Sequence, residues 1–368
     1  ALSATEVTEQ KKLTKTDGKK INKIIVPKLD DANLAGTKES KNCTLILTEG
    51  DSAKTTAIAG LSVIGRDYYG VFPMRGKIMN VKDVSYQKIS DNAEITALKK
   101  ILGLEQNKDY SNDINSLRYG KIMIMTDQDH DGSHIKGLLF NVFETLWSSL
   151  YKFDGFMTSL LTPIIKATNS HSKEVISFYN LTDYEHWNQE LINKNHWKIK
   201  YYKGLGTSTA NEFKEYFAHK KIVTFTHTGV ESTNAIDMVF NKKRADDRKD
   251  WLETIYDRES YVDTSKQMIT YEEFINKELI HFSKYDCDRS IPNLMDIYKK
   301  KSKKELIKMI SAVDGFSETT AENIVNNLKY ADILLKKVGK YLTIKEDKRV
   351  SNNMSGHKYV MTGFRDKE

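Results

Sequence analysis

The residues whose types and spacing can do chemistry concentrate in one hexapeptide, Asp127-Gln128-Asp129-His130-Asp131-Gly132, directly after the apolar run Ile122-Met123-Ile124-Met125. Three carboxylates at alternate positions gather more negative charge than an isolated protein tolerates well. A bound hard cation with oxygen ligands, Mg2+ or Ca2+, resolves it. In extended backbone, residues i, i+2 and i+4 point the same way. The spacing therefore predicts a divalent-metal site at the C-terminal end of a buried strand, with a helix over residues 133–140. A helix-loop-helix calcium loop opens with the same pattern but requires Glu at its twelfth position. Counting from Asp127 that residue is Leu138, and the preceding element is strand-like. An acidic turn that merely caps the next helix needs fewer carboxylates than three.

A carboxylate cluster needs a frame. Residues 1–41 are polar and lysine-rich without sustained periodicity and read as a linker or extended lead-in. The short apolar run 43–48 ends at Glu49-Gly50-Asp51-Ser52 and passes into a helix-compatible stretch, 53–61. A second strand-like unit over 69–73 leads to residues 74–81; residues 92–105 look helical, and 121–126 form the strand that delivers the carboxylates. Strands alternating with helices indicate an α/β sheet, with chemistry outside the carboxyl ends of the strands. Glu49 and the 127–131 cluster both occupy such positions and are expected to converge. Alone, a Glu after a strand is as often a solvated turn. Glu49 gains weight from Gly50, which lets backbone approach a phosphate or metal closely. Asp51 and Ser52 read as N-cap candidates for the next helix, Ser52 above all.

Three basic elements accompany these carboxylates. Arg75-Gly76-Lys77 sets two cations around a backbone-permissive glycine, and Tyr201-Tyr202-Lys203-Gly204-Leu205-Gly206 places a lysine between aromatics and a Gly-x-Gly turn. Residues 241–249 carry five basic side chains, equally suited to an exposed helix with i,i+4 pairs and to DNA phosphates.

At 368 residues, with 39% hydrophobic and 29% charged residues, the chain has the composition of a soluble globular protein of two or three domains. No stretch reaches the length of a membrane span and no signal peptide is visible. The chain begins with Ala1 and reads as a fragment or processed product. Cys43 and Cys287 lack metal-ligand spacing, and Cys43 reads as a core thiol in a reducing compartment. A net charge of +7 is compatible with nucleic acid as partner without establishing it.

Taken in order, Glu49-Gly50-Asp51-Ser52, Pro73-Met74-Arg75-Gly76-Lys77 and the run from Thr126 to Ile135 resemble the TOPRIM domain of type IIA DNA topoisomerases. The runs 65–70, 201–208, 243–249 and Phe274-Ile275-Asn276-Lys277-Glu278-Leu279 look like the eukaryotic or large-DNA-virus form, topoisomerase II, and 289–293 resembles the opening of its breakage-reunion region. The similarity runs from about residue 20 to Asp296. It implies an α/β TOPRIM-type sheet, mostly parallel with helices on both faces, followed by a mainly helical C-terminal segment. It also implies a homodimeric enzyme that cuts one duplex, passes another through and reseals, with ATP bound outside this chain. The family's Mg2+ set maps onto Glu49, Asp127, Asp129 and Asp131, with Glu49, Asp127 and Asp129 catalytic. Arg75, Lys77 and Lys203 are the candidate contacts to double-stranded DNA. His130 and His134 are expected to shape the site, because hard oxygen donors are at hand.

The resemblance divides the chain into a lead-in (1–41), a TOPRIM domain with insertions (42–230) and the start of the breakage-reunion region (231–296). Residues 297–345 resemble a helix-hairpin-helix element of NAD-dependent DNA ligases, and 346–368 a truncated start of the BRCT domain that follows it there, or a tail. With neither an ATPase site nor an identifiable tyrosine nucleophile, the chain alone is expected not to cleave DNA. The alternative is a non-catalytic, metal-loaded DNA-binding protein. The implied setting is intracellular: the nucleus of a cell or the replication site of a virus, with no membrane partner.

Overall fold

A computed structural model describes residues 10–191, 194–289, 301–311, 318–319 and 321–328, and the chain divides into two compact units at residues 287 and 288. The first is built on a six-stranded sheet in the order β2-β1-β3-β4-β8-β9. Its strands are β1 (Thr44–Glu49), β2 (Tyr69–Met74), β3 (Lys121–Met125), β4 (Met157–Leu160), β8 (Ile222–Thr226) and β9 (Met268–Thr270). All neighbours are parallel except β4 and β8. Central parallel strands are buried on both faces, which is why β1 and β3 read as continuous apolar runs. Alternate residues then go to opposite layers. Leu45, Leu47, Ile122 and Ile124 join one core cluster; Ile46, Met123 and Met125 join another.

Helices cover both layers. Helix α1 (Gly50–Ile64) packs Ala53, Ala57 and Leu61 into the second cluster. Helices α2 (Ala93–Leu102) and α3 (His130–Leu146) pack into the first. An insertion between β4 and β8 forms a second, antiparallel sheet in the order β6-β5-β7 from β5 (Ile165–Asn169), β6 (Val175–Phe178) and β7 (Trp197–Tyr201). Strand β7 runs into the turn that carries Lys203, and helix α4 (Ala210–Ala218) then returns the chain to β8.

The lead-in does more than connect. Leu13, Ala32 and Ala35 are buried in the first core cluster, and Asp30 bridges β2 at Val71. The guanidinium of the fully buried Arg118 donates to the carbonyls of Ile21 and Ile101 and to Asp31, which also accepts from the Tyr119 hydroxyl. Farther along the chain, residues 241–249 follow the helical alternative: Arg244 pairs with Asp237 and Asp247, and Arg248 donates to the carbonyls of Met238 and Asn241. Among the described residues no helix is long and apolar enough to cross a membrane.

In the second unit, helix α5 (Lys303–Ser311) starts at Ser302, which exchanges hydrogen bonds with Glu305, and buries Leu306. The turn expected at the centre of the helix-hairpin-helix, 312–317, and the BRCT-like stretch 346–368 lie outside the described residues.

Removing one partner of a buried ion pair strands the other charge. Asp31→Ala should therefore lower the unfolding free energy by about 3 kcal/mol, measured as a shift of the urea midpoint. A shift below ~0.5 kcal/mol would show that the lead-in is not clamped through Arg118.

Candidate metal centre

The site forms where β1 and β3 end side by side. Their register pairs Leu47 with Ile124 and Thr48 with Met125, so the next residues on each strand, Glu49 and those around Asp127, leave the sheet together. Glu49 occupies the N-cap position of α1, yet its side chain makes no capping bond. This corrects the expectation that Ser52 or Asp51 caps that helix: Asp51 lies in the first turn and pairs with Lys28. Glu49 Oε2 is shut off from solvent without a hydrogen-bond partner. Burial first, then the charges of Asp127 and Asp129, push the Glu49 carboxyl from its ordinary 4.5 up to about 7.

Asp127 and Asp129 are held by backbone amides. The amide of Leu205 donates to Asp127 Oδ1 at 2.7 Å, and that of Gly132 to Asp129 Oδ1 at 2.8 Å. Asp129 is thereby the N-cap of α3, at the helix end that favours negative charge. Burial raises the Asp127 carboxyl, with the charge of Asp129 adding to it and the Leu205 amide opposing. The turn around Asp127 leaves no room for side chains. A Cβ on Gly204, whose φ is +127°, would lie 2.4 Å from Asp127 Oδ2, and one on Gly132 would lie 2.0 Å from the Asp127 carbonyl oxygen. The Gly-x-Gly element thus supplies the cradle for Asp127. Gly204 and Leu205 are site residues that sequence reasoning missed, although the glycine was the visible sign.

Asp131 departs from the expected alternation. Extended backbone ends at Asp129 (φ −126°, ψ −178°) and α3 begins at His130, so Asp131 turns with the helix. It meets Lys77 Nζ at 2.7 Å, and Lys77 in turn lies over the Phe282 ring. His130 stacks on Tyr285 and His134 on Phe282. Burial, chiefly, holds the His130 imidazole below its ordinary value. Arg75 is exposed and its charge reaches Asp51, and Lys203 is exposed and lines two clefts. The larger, about 440 Å³, is lined by Asp129, Lys136, Tyr202, Lys203, Phe225 and Glu278. The smaller, about 120 Å³, is lined by Asp127, Asp129, Lys203 and Gly204.

As the side chains stand, no three His, Cys, Asp or Glu groups among the described residues form a ready cage for one metal ion. Asp127 and Asp129 are turned onto amides and Asp131 onto Lys77. The donor chemistry nevertheless fits a hard divalent cation. Glu49, Asp127 and Asp129 offer carboxylate oxygens at one place, the Glu49 oxygen is buried without a partner, and the charges repel one another.

Comparison with known proteins agrees with this architecture. Residues 44–158 match the Toprim domain and residues 160–287 the C-terminal associated domain of TOPRIM. DNA topoisomerase 2 of Arabidopsis thaliana is 51% identical over 310 residues, covering 83% of this chain and 21% of the relative. That of Saccharomyces cerevisiae is 48% identical over 331 residues, covering 86% of this chain and 23% of the relative. The chain thus spans about a fifth of the length of these relatives. The solved DNA-binding, cleavage and re-ligation domain of Plasmodium falciparum topoisomerase II superposes with a TM-score of 0.70 at 44% identity, covering 82% of this chain and 44% of that one. These matches give no support to the ligase resemblance of residues 302–368.

The raised Glu49 carboxyl has a consequence for stability. The folded state keeps a proton that the unfolded chain releases, so stability present below pH 4.5 is lost as pH rises toward 7. In chelator, Glu49→Gln should stabilise the protein at pH 8 by about 1–2 kcal/mol, after allowance for the solvent that reaches the residue. It should be close to neutral at pH 4.5. Equal effects of the substitution at both pH values, read as urea midpoints, would contradict the crowding of charge at Glu49.

Proposed function

The chain belongs to the type II DNA topoisomerases through its Toprim region, and from that premise we propose that Glu49, Asp127 and Asp129 hold Mg2+ against a phosphodiester of double-stranded DNA. The observation that carries this reading is Glu49: a carboxylate oxygen buried without a partner beside two further carboxylates at the ends of adjacent strands. When bound, Mg2+ supplies charge neutralisation for the phosphate and the leaving oxygen of an in-line displacement.

The remaining chemistry belongs to the chain's own residues. With its carboxyl near neutrality, Glu49 is suited to give or take a proton at a sugar oxygen. The Leu205 and Gly132 amides orient Asp127 and Asp129. Asp131, paired with Lys77, sets the position of that cation beside the site. Arg75, Lys77 and Lys203 are exposed around the carboxylates and suit the flanking phosphates. In the complete enzyme we assign this region to double-strand breakage and religation within a homodimer. ATP is then bound elsewhere in the protein, and the eukaryotic origin of the relatives supports a nuclear setting.

Two measurements on the full chain test the reading. By calorimetry the protein should bind Mg2+, and Asp129→Ala should weaken that binding at least tenfold, about 1.4 kcal/mol. Duplex affinity should fall with salt, and Lys203→Ala should reduce the slope of log K against log salt by about 1. Mg2+ binding that survives Asp129→Ala intact would end the metal assignment. An unchanged slope would remove Lys203 from the DNA contacts.

A further inference from the structure

The N-terminal half of α3 carries the proposed metal ligand Asp129 at its cap, and a segment more than 140 residues away in sequence clasps it. Residues 275–285 run along α3 and meet it position by position. Leu279 lies against Gly137, where a Cβ would come within 3.0 Å of Leu279 Cδ2. Phe282 stacks on His134 and Tyr285 on His130. Between these apolar contacts sits a polar one. Glu278 Oε1 accepts from the Lys136 ammonium and, at 2.9 Å, from the Ser133 hydroxyl. The same hydroxyl also lies 3.1 Å from the Asp129 carbonyl oxygen. The Lys136 side chain is 1% exposed, and its charge lies over the Phe274 ring.

An ammonium this deeply buried is an expensive way to pack two helices, since an apolar pair of similar volume stabilises at least as well. The backbone at Glu278 is also unusual. Residues Ile275–Leu279 form one π-helical turn, a conformation that is rare in general and frequent at functional sites. Both charged groups line the 440 Å³ cleft that also reaches Asp129. We propose that Glu278 is a positioning residue for the metal site, acting with Lys136 and Ser133 to fix the first turns of α3 and so the direction in which Asp129 presents its free oxygen. The inference rests on the metal assignment of the preceding section and deepens it.

In this role Glu278 touches no metal. It resembles the outer partners of metal ligands generally, whose loss lowers affinity by about 10–100-fold without removing a ligand. Two variants of the full chain separate positioning from packing. Glu278→Gln keeps the size and most hydrogen bonds but removes the charge that holds Lys136. The double variant Lys136→Met with Glu278→Leu replaces the whole pair by apolar groups of similar volume, a change that is often neutral or stabilising.

Mg2+ titration by calorimetry, with thermal unfolding in chelator as the control for folding, is the experiment. Both variants should bind Mg2+ about tenfold more weakly or worse. The double variant should unfold within a few degrees of the unmodified protein. Wild-type Mg2+ affinity in a folded double variant, with binding lost in Asp129→Ala, would overturn the positioning role and leave the metal site standing. Wild-type affinity in Asp129→Ala would overturn the metal site, and the positioning role with it.

Discussion

Electrostatic repulsion among carboxylates at the ends of two neighbouring parallel strands is the constraint around which the first unit is organised. Glu49 leaves β1 and Asp127 leaves β3 at the same level of the sheet, with Asp129 two residues on. Carboxylates brought together in this way must be hydrated, protonated, hydrogen-bonded or neutralised by a cation. Two devices serve the three: backbone amides hold Asp127 and Asp129, while Glu49 keeps a proton toward neutral pH. Those devices keep three mutually repelling carboxylates in one neighbourhood, and their hard oxygen donors are the chemistry behind the Mg2+ proposal.

The supports of this group come from distant parts of the chain. The Leu205 amide arrives from the turn after β7, and the close approach of that turn excludes any side chain at position 204. Lys77 arrives from the segment after β2 and meets Asp131. On the far side, residues 275–285 run along α3 and bury the Lys136–Glu278 pair. The lead-in grips the opposite edge, where Lys28 pairs with Asp51 and Asp30 with Lys54 in the first turns of α1. Both helices that begin at the site are therefore tethered near their first turns to segments outside the sheet.

The domain limits follow the same logic. The Toprim match ends at residue 158 within β4, and its associated domain runs to 287, the last residue of the first compact unit. That second stretch supplies the Leu205 amide and the Glu278 clasp to a group, Glu49, Asp127 and Asp129, that belongs to the first. The associated domain is thus a structural part of the site and more than a neighbour in sequence.

Much of this was legible in the residues themselves. The short apolar, β-branched runs at 44–48 and 122–125 suit doubly buried strands, and the acidic residues and glycines that follow them mark the strand ends where α/β chemistry collects. Glu49, Asp127 and Asp129 are identifiable on that ground, because their identities and their distance from a strand end are local properties. The alternation does not reach Asp131, since it holds only while the backbone stays extended, and capping by Asp129 starts the helix at His130. Lys203 was visible as a charge, but the cradle formed by Gly204 and Leu205 was not, nor was the clasp of Glu278 on Lys136 and Ser133. Those contacts span from 78 to 145 residues of sequence. Composition and periodicity report on a residue's own backbone and its near neighbours; which distant amide or carboxylate comes to meet it is decided by packing the sheet, its insertion and the clasping helix into one unit.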